Sequence, residues 1–163
     1  MANLKKNMIE ALNNSGIFSE MDIHFATFIL RFSVDQDPDI FLAAALVSRA
    51  TANGDICLNL DSMSETVLLE EQAGCDPVFC PPAVKWRQKL KSHSAIGKPG
   101  DRCPLIIDDH NRLYLYRYWE YEKKLSSALR NRAEGELADF SHTIRAPYKL
   151  SKLHAHVPGG LPR

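Results

Sequence analysis

The sequence predicts an α+β fold, mostly helical, in which N-terminal helices pack on a small antiparallel sheet and a hairpin then leads into a helix. Three observations predict it. Apolar residues recur at helical spacing in three separate stretches of residues 1–50. Short runs at 56–60, 105–107 and 113–116 alternate or are rich in aromatic and branched residues, as strands are. After residue 116 the period changes again. Tyr118, Tyr121, Leu125, Ala128 and Leu129 then share one helical face.

Each element follows from local signals. Leu4, Met8, Ala11 and Leu12 mark a first amphipathic helix, and Asn13-Asn14-Ser15-Gly16 stops it. Ser19 is a good N-cap for a second helix, with Asp22 placed for a capping box and Phe18 and Ile23 for a hydrophobic staple. Phe25, Ala26, Phe28, Ile29 and Phe32 make that helix strongly apolar. Asp37-Pro38 signals another start, a cap followed by proline in the first turn. The helix over 39–50 is apolar all round and is expected to be central and buried. Ile56, Leu58 and Leu60 alternate with Cys57 and Asn59 as a half-buried strand. Residues 61–82 carry few signals; a short helix around 67–69 and then a loop is the expectation. Ala83, Trp86 and Leu90 predict a short helix ending near Ser92, and 95–101 a Gly/Pro loop. Leu105–Ile107 and 113–116 then form a hairpin around a polar turn at 108–111. The unit 104–133 is expected to hold the domain together. Beyond Ala133 the pattern fades, and two parts are expected: a domain over 1–135 and an exposed, atypical tail over 136–163.

Composition narrows the function classes. The chain has 163 residues, 45% of them apolar and 25% charged, as soluble globular domains do. Twenty basic and twenty acidic side chains cancel, so there is no global pull toward nucleic acid or membrane. The longest apolar run, 40–47, is too short to span a bilayer. The N-terminus lacks the apolar core of a signal peptide. The expected location is the cytoplasm, with the four cysteines as reduced thiols.

Candidate reaction chemistry is sparse. Cys75 and Cys80 lie five apart, with Cys57, His93 and Cys103 elsewhere; zinc sites need a tighter pair and a matching second one, so ordinary thiols are expected. His154 and His156 lack a partner acid and read as solvated. His24, in an apolar helix, reads as a hydrogen-bonded residue at the core edge. Asp108-Asp109-His110 could do acid–base work, but its place between two strands favours turn chemistry. Glu70-Glu71 has no partner carboxylate. Gly97-Lys98-Pro99-Gly100 does not meet the pattern of a P-loop, whose amides and lysine must surround the phosphates. No catalytic, cofactor or metal residue is therefore assigned.

Two groups of cations remain. Lys85, Arg87, Lys89 and Lys91 alternate, which scatters them around a helix. Arg117, Lys123, Lys124, Arg130 and Arg132 are interleaved with aromatics and could meet phosphates or an acidic protein surface. A solvated helix face is the plain alternative. Lys123, Lys124, Arg130 and Arg132 are the candidate nucleic-acid contacts. Arg117, Tyr118, Trp119 and Tyr121 are the candidate protein contacts, because aromatics and arginine anchor interfaces. For the aromatics, core packing is the competing reading.

Two stretches taken together resemble a known family. One is Leu42-Ala43-Ala44-Ala45-Leu46-Val47-Ser48-Arg49-Ala50, continuing through Gly54 to Ile56-Cys57-Leu58-Asn59-Leu60. The other is Pro104-Leu105-Ile106-Ile107, then Arg112-Leu113-Tyr114-Leu115-Tyr116-Arg117-Tyr118-Trp119, with Tyr121-Glu122 and Leu125 after it. They resemble the N-terminal domain of RecD, the alpha subunit of exodeoxyribonuclease V. That family's pattern is an Ala-Ala-Leu-x-Ser helix, a Gly-x-x-Cys-Leu-x-Leu strand and a Leu-Tyr-Leu-x-Arg-Tyr-Trp hairpin-to-helix. Met21-Asp22-Ile23-His24-Phe25-Ala26 fits its entry segment, and the resemblance covers roughly 4–133.

The resemblance implies a non-catalytic assembly domain. In the family it precedes an ATP-dependent helicase motor that moves 5′ to 3′ on single-stranded DNA. It contacts the RecC-like gamma subunit in a RecBCD complex that also holds a RecB-like beta subunit. DNA would be reached only through the complex, which acts in double-strand break repair by recombination. This sequence ends where the family's motor begins, so no ATPase or motor residue carries over. The alternatives are a small module that binds single-stranded nucleic acid and an independent enzyme, the latter without a supporting motif.

Overall fold

The protein is described from a computed structural model, which covers residues 2–32, 37–70 and 77–144. The chain falls into two units, Met1–Lys124 and Leu125–Arg163. The first contains all but the last part of the secondary structure.

Its helices form where the capping signals place them. Helix α1 spans Ala2–Asn14. Beyond it Ser15 Oγ donates to the Leu12 carbonyl at 2.7 Å, and Gly16 adopts a φ of 69°, which turns the chain out of the helix. Helix α2 spans Glu20–Leu30 and opens on a complete capping box. The Ser19 amide donates to Asp22 Oδ2 at 2.9 Å, and the Asp22 amide donates back to Ser19 Oγ at 3.3 Å. Helix α3 spans Pro38–Ala52, with Asp37 Oδ1 accepting from the Asp39 amide at 3.0 Å. Every residue from Ile40 to Val47 is buried. Helix α3 touches α1, α2, strands β1 (Leu58–Asn59) and β6 (Arg112–Leu115), and helix α5 (Ala83–Ser92). The alanines Ala43, Ala44 and Ala45 fit that position, since small side chains let neighbours approach from every side.

The sheet is mixed rather than wholly antiparallel. Its order is β1-β6-β5-β4, with β4 at Ile96–Gly97 and β5 at Leu105–Ile107. Strand β6 pairs antiparallel with both β1 and β5, whereas β4 runs parallel to β5, Ile96 facing Leu105. The hairpin therefore stands where its alternation and polar turn predicted. Strand β4 does not: it forms inside the stretch expected to be a Gly/Pro loop. Gly97 is buried, and a Cβ there would lie 2.7 Å from Asp101 Cβ and 2.9 Å from Cys103 Sγ. Close packing of the returning chain admits only glycine at that point.

Three further expectations are corrected. The strand over 56–60 shrinks to Leu58–Asn59. Ile56 is exposed, and Leu60 opens a short helix, α4 (Leu60–Met63), because Asn59 Oδ1 accepts from the Asp61 amide at 2.9 Å. Val67–Leu69 forms a strand, β2, instead of a short helix, and pairs antiparallel with β3 at Val78–Phe79. The connection between the two strands, residues 70–77, is too long for the two-residue turn that marks a hairpin in a sequence. Tyr116 begins a helix rather than ending a strand, and its amide donates to the Pro104 carbonyl at 3.0 Å.

That last helix, α6, spans Tyr116–Ile144, well past Ala133 where the apolar pattern fades. Residues 145–163, with His154 and His156, lie outside the described residues. The core of the first unit is built by α1, α2, α3, α5 and the sheet, and Trp86 is its largest fully buried side chain. The Trp86 indole N–H donates to the Asp39 carbonyl at 2.8 Å, pinning α5 to the first turn of α3.

Candidate interaction surface

The first two turns of α6 gather the side chains singled out as possible contacts. Tyr116, Trp119, Glu120 and Glu122 are half-buried, while Arg117, Tyr118, Tyr121, Lys123 and Lys124 are exposed. Tyr118 is 37% exposed and Tyr121 is 49% exposed. Core packing is thereby overturned for both tyrosines. The helical face that the spacing defined exists, but it is turned to solvent instead of inward. In the second unit Leu125 and Leu129 continue the same pattern, also exposed, as are Arg130 and Arg132.

Local geometry orders this surface. Arg117 lies over the Tyr121 ring, 5.4 Å from its centroid, and its Nε–H donates to the Tyr121 hydroxyl at 3.0 Å. Lys123 lies over the Trp119 ring at 5.1 Å. The Trp119 and Tyr116 rings are 6.4 Å apart and tilted by 34°. Lys124 pairs with Glu120 at 3.1 Å, in the favourable helical order. The two cation–aromatic couples join residues four apart, the spacing that brings side chains together on a helix.

Elsewhere the polar groups serve structure. Asp108 sits in the hairpin turn, buried at 8% exposure. Its Oδ1 accepts from the His110 and Arg112 amides, each at 2.9 Å, and its Oδ2 accepts from Arg112 Nε and Nη2, each at 2.7 Å. Burial pushes the carboxyl up, but the hydrogen bonds from Arg112 and His110 and the Arg112 charge more than offset it, holding it below the usual range. The turn reading of Asp108-Asp109-His110 is borne out, and Asn111 tolerates the φ of 55° that the turn needs. Tyr114, almost fully buried, brings its hydroxyl within 3.5 Å of Asp108 Oδ2, and burial foremost pushes that phenol well up.

The alternating cations of α5 are not all free. Lys89 binds Asp37 at 3.3 Å and also Asp39, fastening α5 to the cap of α3, and Arg87 reaches Asp109 at 3.1 Å. His93, just past α5, is buried; its Nδ1 accepts from the Ala95 amide at 3.2 Å and its Nε2 has no hydrogen-bond partner among the described residues. Burial lowers its pKa, with the nearby Asp37 charge opposing. His24 is exposed, which corrects its placement at the core edge: it lies on the outer side of α2. Cys57 and Cys103 are half-buried and Cys80 is buried, all as free thiols, while Cys75 lies outside the described residues. Among the described residues no three His, Cys, Asp or Glu side chains gather as metal ligands.

One surface went unnoticed in the sequence. Met21 and Phe28 on the outer side of α2, and Phe32 in the turn after it, are 73%, 47% and 44% exposed, with the two phenylalanine rings edge-to-face at 5.1 Å. The spacing of seven and then four was available, but a strongly apolar helix reads as buried all round. Among the described residues no helix is long and apolar enough to cross a membrane.

Fold and surface together define an α+β domain built around one buried helix; its buried carboxylates and histidine hold turns and caps, while Arg117, Tyr118, Tyr121 and Lys123 at the start of α6 face outward. The chain belongs to the family described as RecBCD enzyme subunit RecD, N-terminal domain, which matches residues 14–114. It is also similar to proteins named RecBCD enzyme subunit RecD. It is 27% identical over 123 residues to that of Mycobacterium tuberculosis (strain ATCC 25618 / H37Rv), covering 75% of this chain and 20% of the relative. For Mycolicibacterium smegmatis the identity is 26% over 145 residues, 86% of this chain and 24% of the relative. For Buchnera aphidicola subsp. Schizaphis graminum it is 22% over 158 residues, 92% and 25% respectively. The chain thus spans about a quarter or less of the length of these relatives.

Proposed function

We propose that the chain acts as a non-catalytic assembly domain of a RecD-like subunit, within a RecBCD-type complex that works in double-strand break repair. Residues 1–135 form the assembly domain and 136–163 lie outside it. Its partners are a RecC-like gamma subunit and a RecB-like beta subunit in the cytoplasm, and DNA is met through the complex. Family membership sets that context. The observation that carries the role is the exposure of Tyr118 and Tyr121 beside Arg117, Trp119 and Lys123 at the start of α6. Large aromatics in solvent, ordered by cations, are the material of a protein interface. The test is a pull-down of the whole chain with purified RecC-like and RecB-like subunits. Association at micromolar concentration supports the reading, and no association of a folded chain overturns it.

A second reading has one observation in its favour, the Lys123–Trp119 couple with Arg130 and Arg132 also exposed. Cations with a stacking ring suit single-stranded nucleic acid. Such binding weakens steeply as salt rises, so a flat titration at low salt removes it.

A further inference from the structure

Resting on the assembly reading, we propose that Arg117 and Tyr121 form a carboxylate-receiving site, and that the partner surface presents one aspartate or glutamate there within an apolar surround. The first step is the state of the guanidinium. Among the described residues Arg117 has no carboxylate partner, as Lys123 in the same turns has none, whereas Lys124 is paired with Glu120. It is nevertheless held in place. The Tyr121 ring lies 5.4 Å beneath it and the Tyr121 hydroxyl accepts its Nε–H at 3.0 Å.

One of the five N–H donors is thus engaged, and among the described residues the four on the terminal nitrogens of this exposed side chain make no hydrogen bond. A guanidinium offers parallel donors that match a carboxylate in two bonds. Ordering the side chain beforehand reduces what binding must freeze out. Tyr118 and Tyr121, both exposed, flank the site with apolar area. A carboxylate docking there loses its neighbouring water and gains a stronger bond.

Charge decides between a single carboxylate and a polyanion. The first turns of α6, residues 116–124, carry three cations, Arg117, Lys123 and Lys124, and two carboxylates, Glu120 and Glu122. Lys124 is already paired with Glu120. A nucleic-acid backbone needs a run of unpaired cations and is repelled by interspersed acids. One carboxylate needs only Arg117.

The test measures binding of the whole chain to an immobilised complex of purified RecB-like and RecC-like subunits, with Arg117→Gln, Arg117→Lys and Tyr121→Phe beside the original. Arg117 is exposed, so the variants keep the fold, which far-ultraviolet circular dichroism confirms. The expected result is a loss of about 30-fold for Arg117→Gln, the scale of an interface hot spot. Arg117→Lys, which keeps the charge but not the paired donors, loses about tenfold. Tyr121→Phe loses less than either. A parallel arm titrates a single-stranded oligothymidylate. If the original chain binds the subunits and Arg117→Gln binds them equally well, the carboxylate site is overturned and the assembly reading stands. If Arg117→Gln loses only oligothymidylate binding, Arg117 is a phosphate contact and the proposal is likewise overturned. Failure of the original chain to bind the subunits overturns both readings.

Discussion

At the scale of single residues, the carboxylate of Asp108 shows how a group with the look of chemistry is committed to architecture. Two backbone amides and one guanidinium converge on it, so its oxygens are saturated inside the molecule. Replacing it by asparagine keeps the shape but removes the charge and one acceptor from Arg112. Asp108→Asn is expected to destabilise the fold by about 2 kcal/mol, the cost of weakening a charge-assisted network that is partly exposed. Urea unfolding at neutral pH measures it, and an unchanged midpoint would remove Asp108 from the structural role. That Asp108 belongs to a turn was legible from its neighbours. That it also anchors Arg112 and sits under Tyr114 was not, because those contacts depend on how far the hairpin twists.

At the scale of elements, caps were the most legible features. Ser19 with Asp22, and Asp37 with the Asp39 amide, satisfy orphan donors with atoms two or three residues away, and Pro38 simply lacks one. Joints between elements were not legible. Helix α5 docks on α3 through Trp86, whose indole reaches a carbonyl 47 positions away in the chain. Trp86→Ala removes a fully buried side chain and a hydrogen bond together. An expected loss of about 3–5 kcal/mol follows, read as a fall in the urea midpoint. A loss under about 1 kcal/mol, within the range of surface substitutions, would mean that the site collapses around the gap. For α6 the spacing of Tyr118, Tyr121, Leu125 and Leu129 was visible in advance. The direction of that face was not, since periodicity fixes which residues share a side and leaves open what the side meets.

At the scale of the whole molecule, acid acts on several groups in one direction. His93 is buried, its Nε2 without a hydrogen-bond partner among the described residues, and burial lowers its pKa below the ordinary 6.5. Asp22 and Asp108 are held below the ordinary 3.8; burial raises each, but hydrogen bonds and a neighbouring arginine charge outweigh it. All three therefore bind protons more readily in the unfolded chain. The stability each contributes is complete above its unfolded value and is lost as pH falls through its folded one. Stability is expected to decline in two stages, first as pH drops below 6.5 and again below 3.8. Urea midpoints across pH read this out, and His93→Gln should flatten the first stage while leaving the second. A first stage that survives in the variant would assign it to another group.

The sequence by itself determined the helices, their caps, the central hairpin, the burial of α3 and the family pattern. Those features rest on interactions within a few residues, or on a face that is apolar all round. Only the tertiary structure decided that β4 joins the sheet in parallel and that β2 finds β3. It also decided that Arg87 and Lys89 are spent on carboxylates and that the aromatic face of α6 looks outward. The ion pairs join residues distant in the chain, the two strand pairings cross connections without a tight-turn signal, and no local period encodes what a helical face meets.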